Sequence, residues 1–225
     1  MDLLLLILIL AIPAIAQAKV SITYNRFKKV SNDKNLTGQE VARKILDKNG
    51  LEDVYVVEVS GNLTDHYDPS RKVVRLSSDV YHNASVSSVA IAAHECGHAI
   101  QDKEGYFYMR LRSLIYPVVR IGTSLSYFVI MIGLIAQALN LIYIGIALVG
   151  LGLVFQLVTL PVEFNASKRA MKQLEQLKLI SDLESYDIKS VLSAAAMTYV
   201  AGVLSSALEI VRLVLAFGGN DRKWK

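Results

Sequence analysis

The stretch AAHECGHAIQ, residues 92–101, decides the fold because it places two histidines and a glutamate at helical spacing. Apolar residues precede the motif, and Ser85 is a suitable N-cap, so we predict a helix from residue 86 to about Asp102. Residues four apart on a helix differ by about 40° in rotation and about 6 Å in rise. His94 and His98 are therefore expected to point the same way, one turn apart.

Two imidazole nitrogens at this spacing can bind one metal ion at about 2.0–2.1 Å. Glu95 is rotated by about 100° from His94, so it misses the ion but can reach a metal-bound water as a general base. Two hydrogen-bonded core histidines are the non-functional alternative. Cys96 points away and is expected in the core, whereas Gly97 is expected to let another segment approach closely.

A catalytic Zn²⁺ ion needs a third protein ligand and one position open for water. Asp102 lies too far along the helix to complete a tetrahedron with both histidines. Glu163, in LPVEFNASKRAM, is the best candidate, because we expect Pro161 to open a helix there and an anion is favoured at a helix start. A carboxylate that merely caps this helix remains the alternative.

Composition predicts a soluble domain joined to several membrane spans. The 225 residues are 53% hydrophobic and 20% charged, with a mean hydropathy of +0.38. The single cysteine excludes an internal disulfide. The net charge of +4 comes from scattered basic residues, so we expect lipid headgroups and not nucleic acid as the anionic neighbour.

Residues 1–18 are predicted to be an N-terminal membrane anchor. Ala16-Gln17-Ala18 resembles a signal-peptidase site, but the basic residues follow the apolar run instead of preceding it. This asymmetry favours an uncleaved anchor with its N-terminus outside. Residues 121–162 hold 42 positions without Asp, Glu, Lys or Arg, which predicts a transmembrane hairpin over 114–160 with a turn near 137–140.

Residues 19–113 are predicted to form an α+β catalytic domain between these membrane segments. Thr37 and Glu40 form a capping box for a helix that ends at Gly50. Strands are expected at 54–60 and 73–77, with a turn over 65–72 between them. A helix over 161–190 would carry the third ligand, and an apolar segment over 191–225, with a basic tail, either spans the membrane or lies against it.

The segments AAHECGHAIQ, LTDHYDPSRKVVRLS, LPVEFNASKRA and AAAMTYVAGVL together resemble the YugP-type membrane zinc metallopeptidases, a neutral zinc metallopeptidase family that is more distantly similar to HtpX-like endopeptidases. The resemblance implies an α-helical membrane protein with a small zincin-like (gluzincin) domain. It also implies one Zn²⁺ ion held by His94, His98 and Glu163, with Glu95 as the base. HtpX-like proteins carry Asp where this chain has Ser167, which puts support of a histidine from that position in question.

The substrate side of the site is less defined by the sequence. We expect Val73–Ser77 to be an edge strand beside the cleft, where a substrate peptide could add as a strand. Five side chains compete for stabilising the oxyanion: His66, Tyr67, Tyr81, His82 and Tyr199.

The sequence therefore predicts a multi-pass membrane zinc endopeptidase whose catalytic domain faces the cytoplasm, because basic residues flank the membrane segments on that side. Its expected partners are the lipid bilayer and membrane-associated or unfolded polypeptides, and the oligomeric state stays open. A membrane scaffold with a structural zinc site is the non-enzymatic alternative, and a transporter is disfavoured because no inverted repeat is visible.

Overall fold

The structure is a computed structural model that describes residues 2–218, so the predicted basic tail at 220–225 lies outside the described residues. The described chain is mostly helical, with one small sheet. Its elements are α1 (Asp2–Phe27), α2 (Gly38–Lys48), β1 (Tyr55–Val59), β2 (His66–Asp68), β3 (Val73–Ser77), α3 (Ser78–His82), α4 (Val86–Lys103), α5 (Phe107–Ile135), α6 (Leu139–Gln176) and α7 (Asp182–Phe217).

Four helices, α1, α5, α6 and α7, are long and apolar enough to cross a membrane. The predicted turn of the hairpin is confirmed, since α5 ends at Ile135, α6 begins at Leu139, and Gln137 between them has a φ of 52°. Helix α5 begins at Phe107, seven residues before the expected start. Residues 191–217, whose state the sequence left open, belong to the continuous helix α7.

The chain divides into two compact units. One contains residues 2–17, 110–161 and 198–218, which make up most of the apolar helices. Within this unit α7 carries an ion pair at i, i+3 spacing, in which the Arg212 guanidinium lies 2.7 Å from the Glu209 carboxylate. The Tyr127 hydroxyl on α5 donates to the same carboxylate at 2.8 Å. Buried charge is thus neutralised inside the unit.

The other unit contains residues 18–109 and 162–197. Helix α2 is built as its sequence predicts. The Thr37 hydroxyl accepts from the Glu40 amide, and the Glu40 carboxylate accepts from the Thr37 amide, which confirms the capping box. Its apolar stripe, Val41, Ile45 and Leu46, is completely buried. The helix stops before Gly50, whose φ of 61° only glycine adopts at low cost.

The sheet has the strand order β1-β3-β2, with β3 parallel to β1 and antiparallel to β2. The prediction that Val73–Ser77 is an edge strand is wrong, because it pairs on both sides. The expected turn over 65–72 was also too long. Strand β2 occupies its first half, and the Asp68 carboxylate then accepts from the Ser70 amide at 3.0 Å, which closes the turn.

Helix α4 carries the histidine motif and follows its predicted limits closely. The Ser85 hydroxyl accepts from the Ser88 amide at 3.1 Å, which confirms Ser85 as the N-cap. One side of α4 packs on α2 and on the sheet through buried alanine and valine side chains. The fixed start and the packed face determine which way the histidines point.

Helix α6 contradicts one expectation. Pro161 does not open a helix but lies inside a helix of 38 residues, so Glu163 is not in a first turn and receives no stabilisation from a helix N-terminus. A proline removes one backbone hydrogen bond, yet a helix continues through it where its surroundings hold both halves. Helix α6 ends at Gln176, so the region expected as one helix over 161–190 contains a break before α7 begins at Asp182.

Candidate metal centre

Helices α4 and α6 bring three potential metal ligands together. The Nε2 atoms of His94 and His98 lie 3.3 and 3.4 Å from the same Glu163 carboxylate oxygen, Oε2. The ligand atoms of all three residues lie within 4.8 Å of one another. Bonds of about 2.0–2.1 Å at tetrahedral angles place neighbouring ligand atoms about 3.3–3.4 Å apart. The two distances from the histidine nitrogens to the Glu163 carboxylate therefore match those around a zinc ion.

Close packing of the two helices makes this convergence possible. A Cβ atom at Gly97 would lie 2.5 Å from the Ala166 backbone oxygen, so only glycine fits at that crossing point. Ala166 and Ala170 of α6 are completely buried. The expectation that Gly97 admits another segment is confirmed, and the segment is the turn of α6 that follows Glu163.

The site is largely closed to water on the side of the carboxylates. Glu163 is 3% exposed and Glu95 is 8% exposed. Burial opposes ionisation of Glu163, but the two histidines outweigh it and hold the pKa of that carboxyl well below its usual range. Burial raises the pKa of the Glu95 carboxyl to about 7, with the nearby His94 acting in the opposite direction. The two carboxyls therefore differ in their affinity for a proton.

A chain of hydrogen bonds fixes which nitrogen of His98 carries a proton. The Arg169 side chain can only donate, and its Nε lies 2.6 Å from Asn165 Oδ1. That oxygen also accepts from Gln101 Nε2 at 3.0 Å, and the same amide nitrogen donates to the Val162 carbonyl at 2.8 Å. The Gln101 oxygen must then face His98 Nδ1, at 3.0 Å, and accept its proton.

The protonation of His98 bears on whether these residues can bind a metal ion. A neutral His98 protonated at Nδ1 presents a lone pair at Nε2, which faces the Glu163 oxygen at 3.4 Å. Two hydrogen-bond acceptors at this distance repel each other unless a proton or a metal cation lies between them. The donor set of two imidazoles and one carboxylate is also one that Zn²⁺ prefers in catalytic sites. The residues therefore fit a zinc ion.

Ser167 is the residue whose support of a histidine the resemblance left in question. Its hydroxyl lies 3.2 Å from His94 Nδ1, so contact with the histidine is present despite the substitution. A hydroxyl can donate or accept. In contrast to Gln101 beside His98, Ser167 does not fix the protonation of its histidine.

Two other residues near the motif lie as the sequence indicates. The Cys96 thiol is buried, faces the Ala42 carbonyl at 3.6 Å, and has a pKa raised by burial. The Asp102 carboxylate accepts from the Tyr67 hydroxyl at 2.9 Å and from Lys72 at 2.8 Å. Neither belongs to the group of metal ligands among the described residues.

The oxyanion candidates are dispersed. The Tyr67 hydroxyl is bound to Asp102, but its backbone amide contacts the Glu95 carboxylate. His66 is exposed and its Nδ1 faces the Thr64 carbonyl, while His82 pairs with Glu58. The remaining two are Tyr81, whose ring contacts that of His82, and Tyr199, which lies in the other unit of the chain.

Sequence reasoning missed Gln101 and Asn165. Both act through their amides, and no motif marks them. One signal was available for Gln101, since it lies three residues after His98 on the same helical face.

Comparison with known proteins identifies the family of this chain. A family model described as "Putative neutral zinc metallopeptidase" matches residues 2–218. The chain is 46% identical over 207 residues to a curated protein of Bacillus subtilis (strain 168) named "Putative membrane protease YugP", and the match covers 92% of each chain. No solved structure matches the chain. The resemblance read from the motifs is confirmed, and the chain belongs to the neutral zinc metallopeptidase family.

Proposed function

We propose that this protein is a membrane-embedded zinc-dependent endopeptidase that hydrolyses peptide bonds in membrane-associated or unfolded polypeptides. The observation that carries the proposal is the convergence of His94 and His98 on one oxygen of Glu163, at 3.3 and 3.4 Å. Family membership supports the same chemistry. Four apolar helices in the same chain favour substrates that are themselves at the membrane.

His94, His98 and Glu163 would hold one Zn²⁺ ion. Bound zinc supplies Lewis acidity that polarises the scissile carbonyl and makes a water molecule more acidic. Glu95 accepts the proton of the attacking water on its carboxylate and then delivers it to the leaving amine. The Tyr67 backbone amide lies near the Glu95 carboxylate and favours its ionised form, against the larger effect of burial.

Strand β2 is the edge of the sheet that lies closest to this base. The Tyr67 amide reaches Glu95, and only one side of β2 pairs with β3. We place the substrate backbone along this free edge, because an added strand presents successive carbonyl groups at fixed spacing. Together with the zinc ligands, this would make the unit of residues 18–109 and 162–197 a zincin-like (gluzincin) catalytic domain.

The catalytic unit is proposed to face the cytoplasm. Basic residues follow the apolar run of α1 at Lys19, Arg26 and Lys28, and others precede the apolar run of α5 at Arg110 and Arg112. A cysteine introduced at the exposed Ser70 tests this placement, since the native Cys96 is buried. In intact cells, an impermeant maleimide is expected to leave Ser70→Cys unlabelled. Labelling before lysis would show that the catalytic unit faces the outside of the cell.

The second candidate is a membrane scaffold with a structural zinc site. Structural sites are closed by four protein ligands. The group found among the described residues offers three, and the nearby Cys96 thiol faces away toward α2. A site with three protein ligands keeps a position for water, which favours catalysis.

The proposal is tested on the full-length protein in detergent. We expect the wild type to hold one zinc ion and to cleave casein. Glu95→Gln should keep the zinc and lose cleavage, whereas Glu163→Ala should lose both. The exposed Glu52→Gln in the same unit is the matched control and should behave as wild type. Cleavage by Glu95→Gln at the wild-type rate would reject the mechanism, and full zinc content in Glu163→Ala would reject the ligand set.

A further inference from the structure

Gln101 is the polar residue that the proposed chemistry leaves unused. It lies one turn after His98 on α4 and has no exposed surface. A buried amide is costly unless its donors and acceptors are satisfied. Here both amide protons and the oxygen have partners, which come from two different helices.

The partners on α6 flank the third ligand. The Gln101 nitrogen donates to the Val162 carbonyl at 2.8 Å and to Asn165 Oδ1 at 3.0 Å, one residue before and two residues after Glu163. Arg169 holds the same Asn165 oxygen at 2.6 Å and also pairs with Glu104 at 2.7 Å. The turn of α6 that presents Glu163 is therefore tied to α4 by one side-chain amide.

We propose that Gln101 is a positioning residue that sets two zinc ligands at once. Its oxygen holds the His98 ring with the proton on Nδ1 and the lone pair on Nε2, directed at the site. Its nitrogen holds the Glu163 turn at the matching distance. This inference rests on the zinc site of the proposed function.

The two histidines differ in whether a neighbouring side chain fixes their tautomer. His94 Nδ1 faces the Ser167 hydroxyl at 3.2 Å, a group that adapts to either tautomer. His98 Nδ1 faces an oxygen whose identity Arg169 imposes through Asn165 and Gln101. Removing the Gln101 amide should therefore free the His98 ring, whereas the packing around α4 stays in place.

The test uses the full-length protein in detergent with three variants. Gln101→Met keeps the volume and removes the amide, and Gln101→Glu keeps an acceptor for His98. Gln173→Met is the matched control, because it removes a side-chain amide on α6 that contacts Asn49 at 2.9 Å and not a histidine.

Zinc affinity is measured by competition with a chelator. We expect Gln101→Met to bind zinc about 10–100-fold more weakly than wild type, as is usual when a partner of a ligating histidine is lost. Gln101→Glu should recover part of this loss, and Gln173→Met should stay within about threefold. Binding by Gln101→Met within threefold of a zinc-binding wild type would overturn the inference and leave the proposed function intact.

A second readout does not depend on zinc or activity. In ¹⁵N-histidine-labelled, zinc-free protein, long-range ¹H–¹⁵N correlation spectra should show the Nδ1-protonated form of His98 in wild type, with or without a second proton on Nε2 facing Glu163, and a mixture of tautomers in Gln101→Met. A wild-type His98 protonated at Nε2 alone would overturn the inference even if no variant folds. A wild type with this tautomer that binds no zinc would instead reject the proposed function.

Discussion

Replacing Gly97 by alanine should separate the two helices that form the metal site. The added Cβ would lie 2.5 Å from the Ala166 backbone oxygen, and the Ala166 carbonyl carbon is 3.1 Å away. Carbon and oxygen atoms rarely approach closer than about 3.3 Å. Because the obstacle is backbone and not a flexible side chain, α4 and α6 must part by about 0.8 Å or rotate.

The magnitude follows from the ligand distances. His94 and His98 belong to α4 and lie 3.3 and 3.4 Å from the Glu163 oxygen on α6, so full separation would bring these distances to about 4 Å. Ligand distances at a zinc ion tolerate only about 0.2 Å. To bind zinc, the two helices must come together again, which costs the overpacking strain of about 1–3 kcal/mol. This cost corresponds to an increase of about 5–150-fold in the zinc dissociation constant.

The assay is chelator competition on the purified full-length protein, with thermal unfolding followed in parallel. Alanine gains about 1 kcal/mol of helix propensity over glycine, so the unfolding free energy should fall by no more than about 2 kcal/mol. The fold should therefore survive while zinc affinity drops. Gly150→Ala in α6 is the matched control, since its Cβ would meet no atom within 4 Å. Wild-type zinc affinity in Gly97→Ala would refute the reasoning.

Three further substitutions test other parts of the fold. Tyr67→Phe removes the hydroxyl that donates to Asp102 at 2.9 Å, so stability should fall by about 0.5–1.5 kcal/mol while kcat for peptide cleavage stays within about threefold; a hundredfold loss of kcat would assign the hydroxyl to the oxyanion instead. Ser85→Ala removes the N-cap of α4 and should cost about 1 kcal/mol, seen as a lower Tm by circular dichroism; an unchanged Tm would contradict the role of the cap. Ile45→Ala in the fully buried stripe of α2 should cost about 2–5 kcal/mol, measured by denaturant unfolding; a cost below 1 kcal/mol would mean that the core rearranges around the cavity.

Local signals in the sequence were reliable where neighbouring residues decide the structure. The capping box at Thr37 and Glu40 and the N-cap at Ser85 lie where their side chains predict them. The hairpin turn near Gln137 also follows from the sequence, because polar residues interrupt an apolar run long enough for two spans. These features depend on contacts within a few residues, which a linear pattern records.

Signals that depend on distant partners were misread. Strand β2 has only three residues, and its stability comes from pairing with β3, so its own sequence looks like a turn. Pro161 looked like a helix start, because proline favours the first turn, but the helix continues on both sides of it. The prediction that β3 is an edge strand was wrong for the same reason, because the whole sheet determines how many neighbours a strand has.

The sequence by itself determined the chemistry of the site: two histidines and a glutamate at helical spacing, and a carboxylate on a later segment. Tertiary structure decided whether these groups meet. The separation of α4 and α6 depends on Gly97 lying against Ala166, and the His98 tautomer depends on a hydrogen-bond chain from Arg169. Distances between residues nearly 70 positions apart are set by packing, and no periodicity within either helix encodes them.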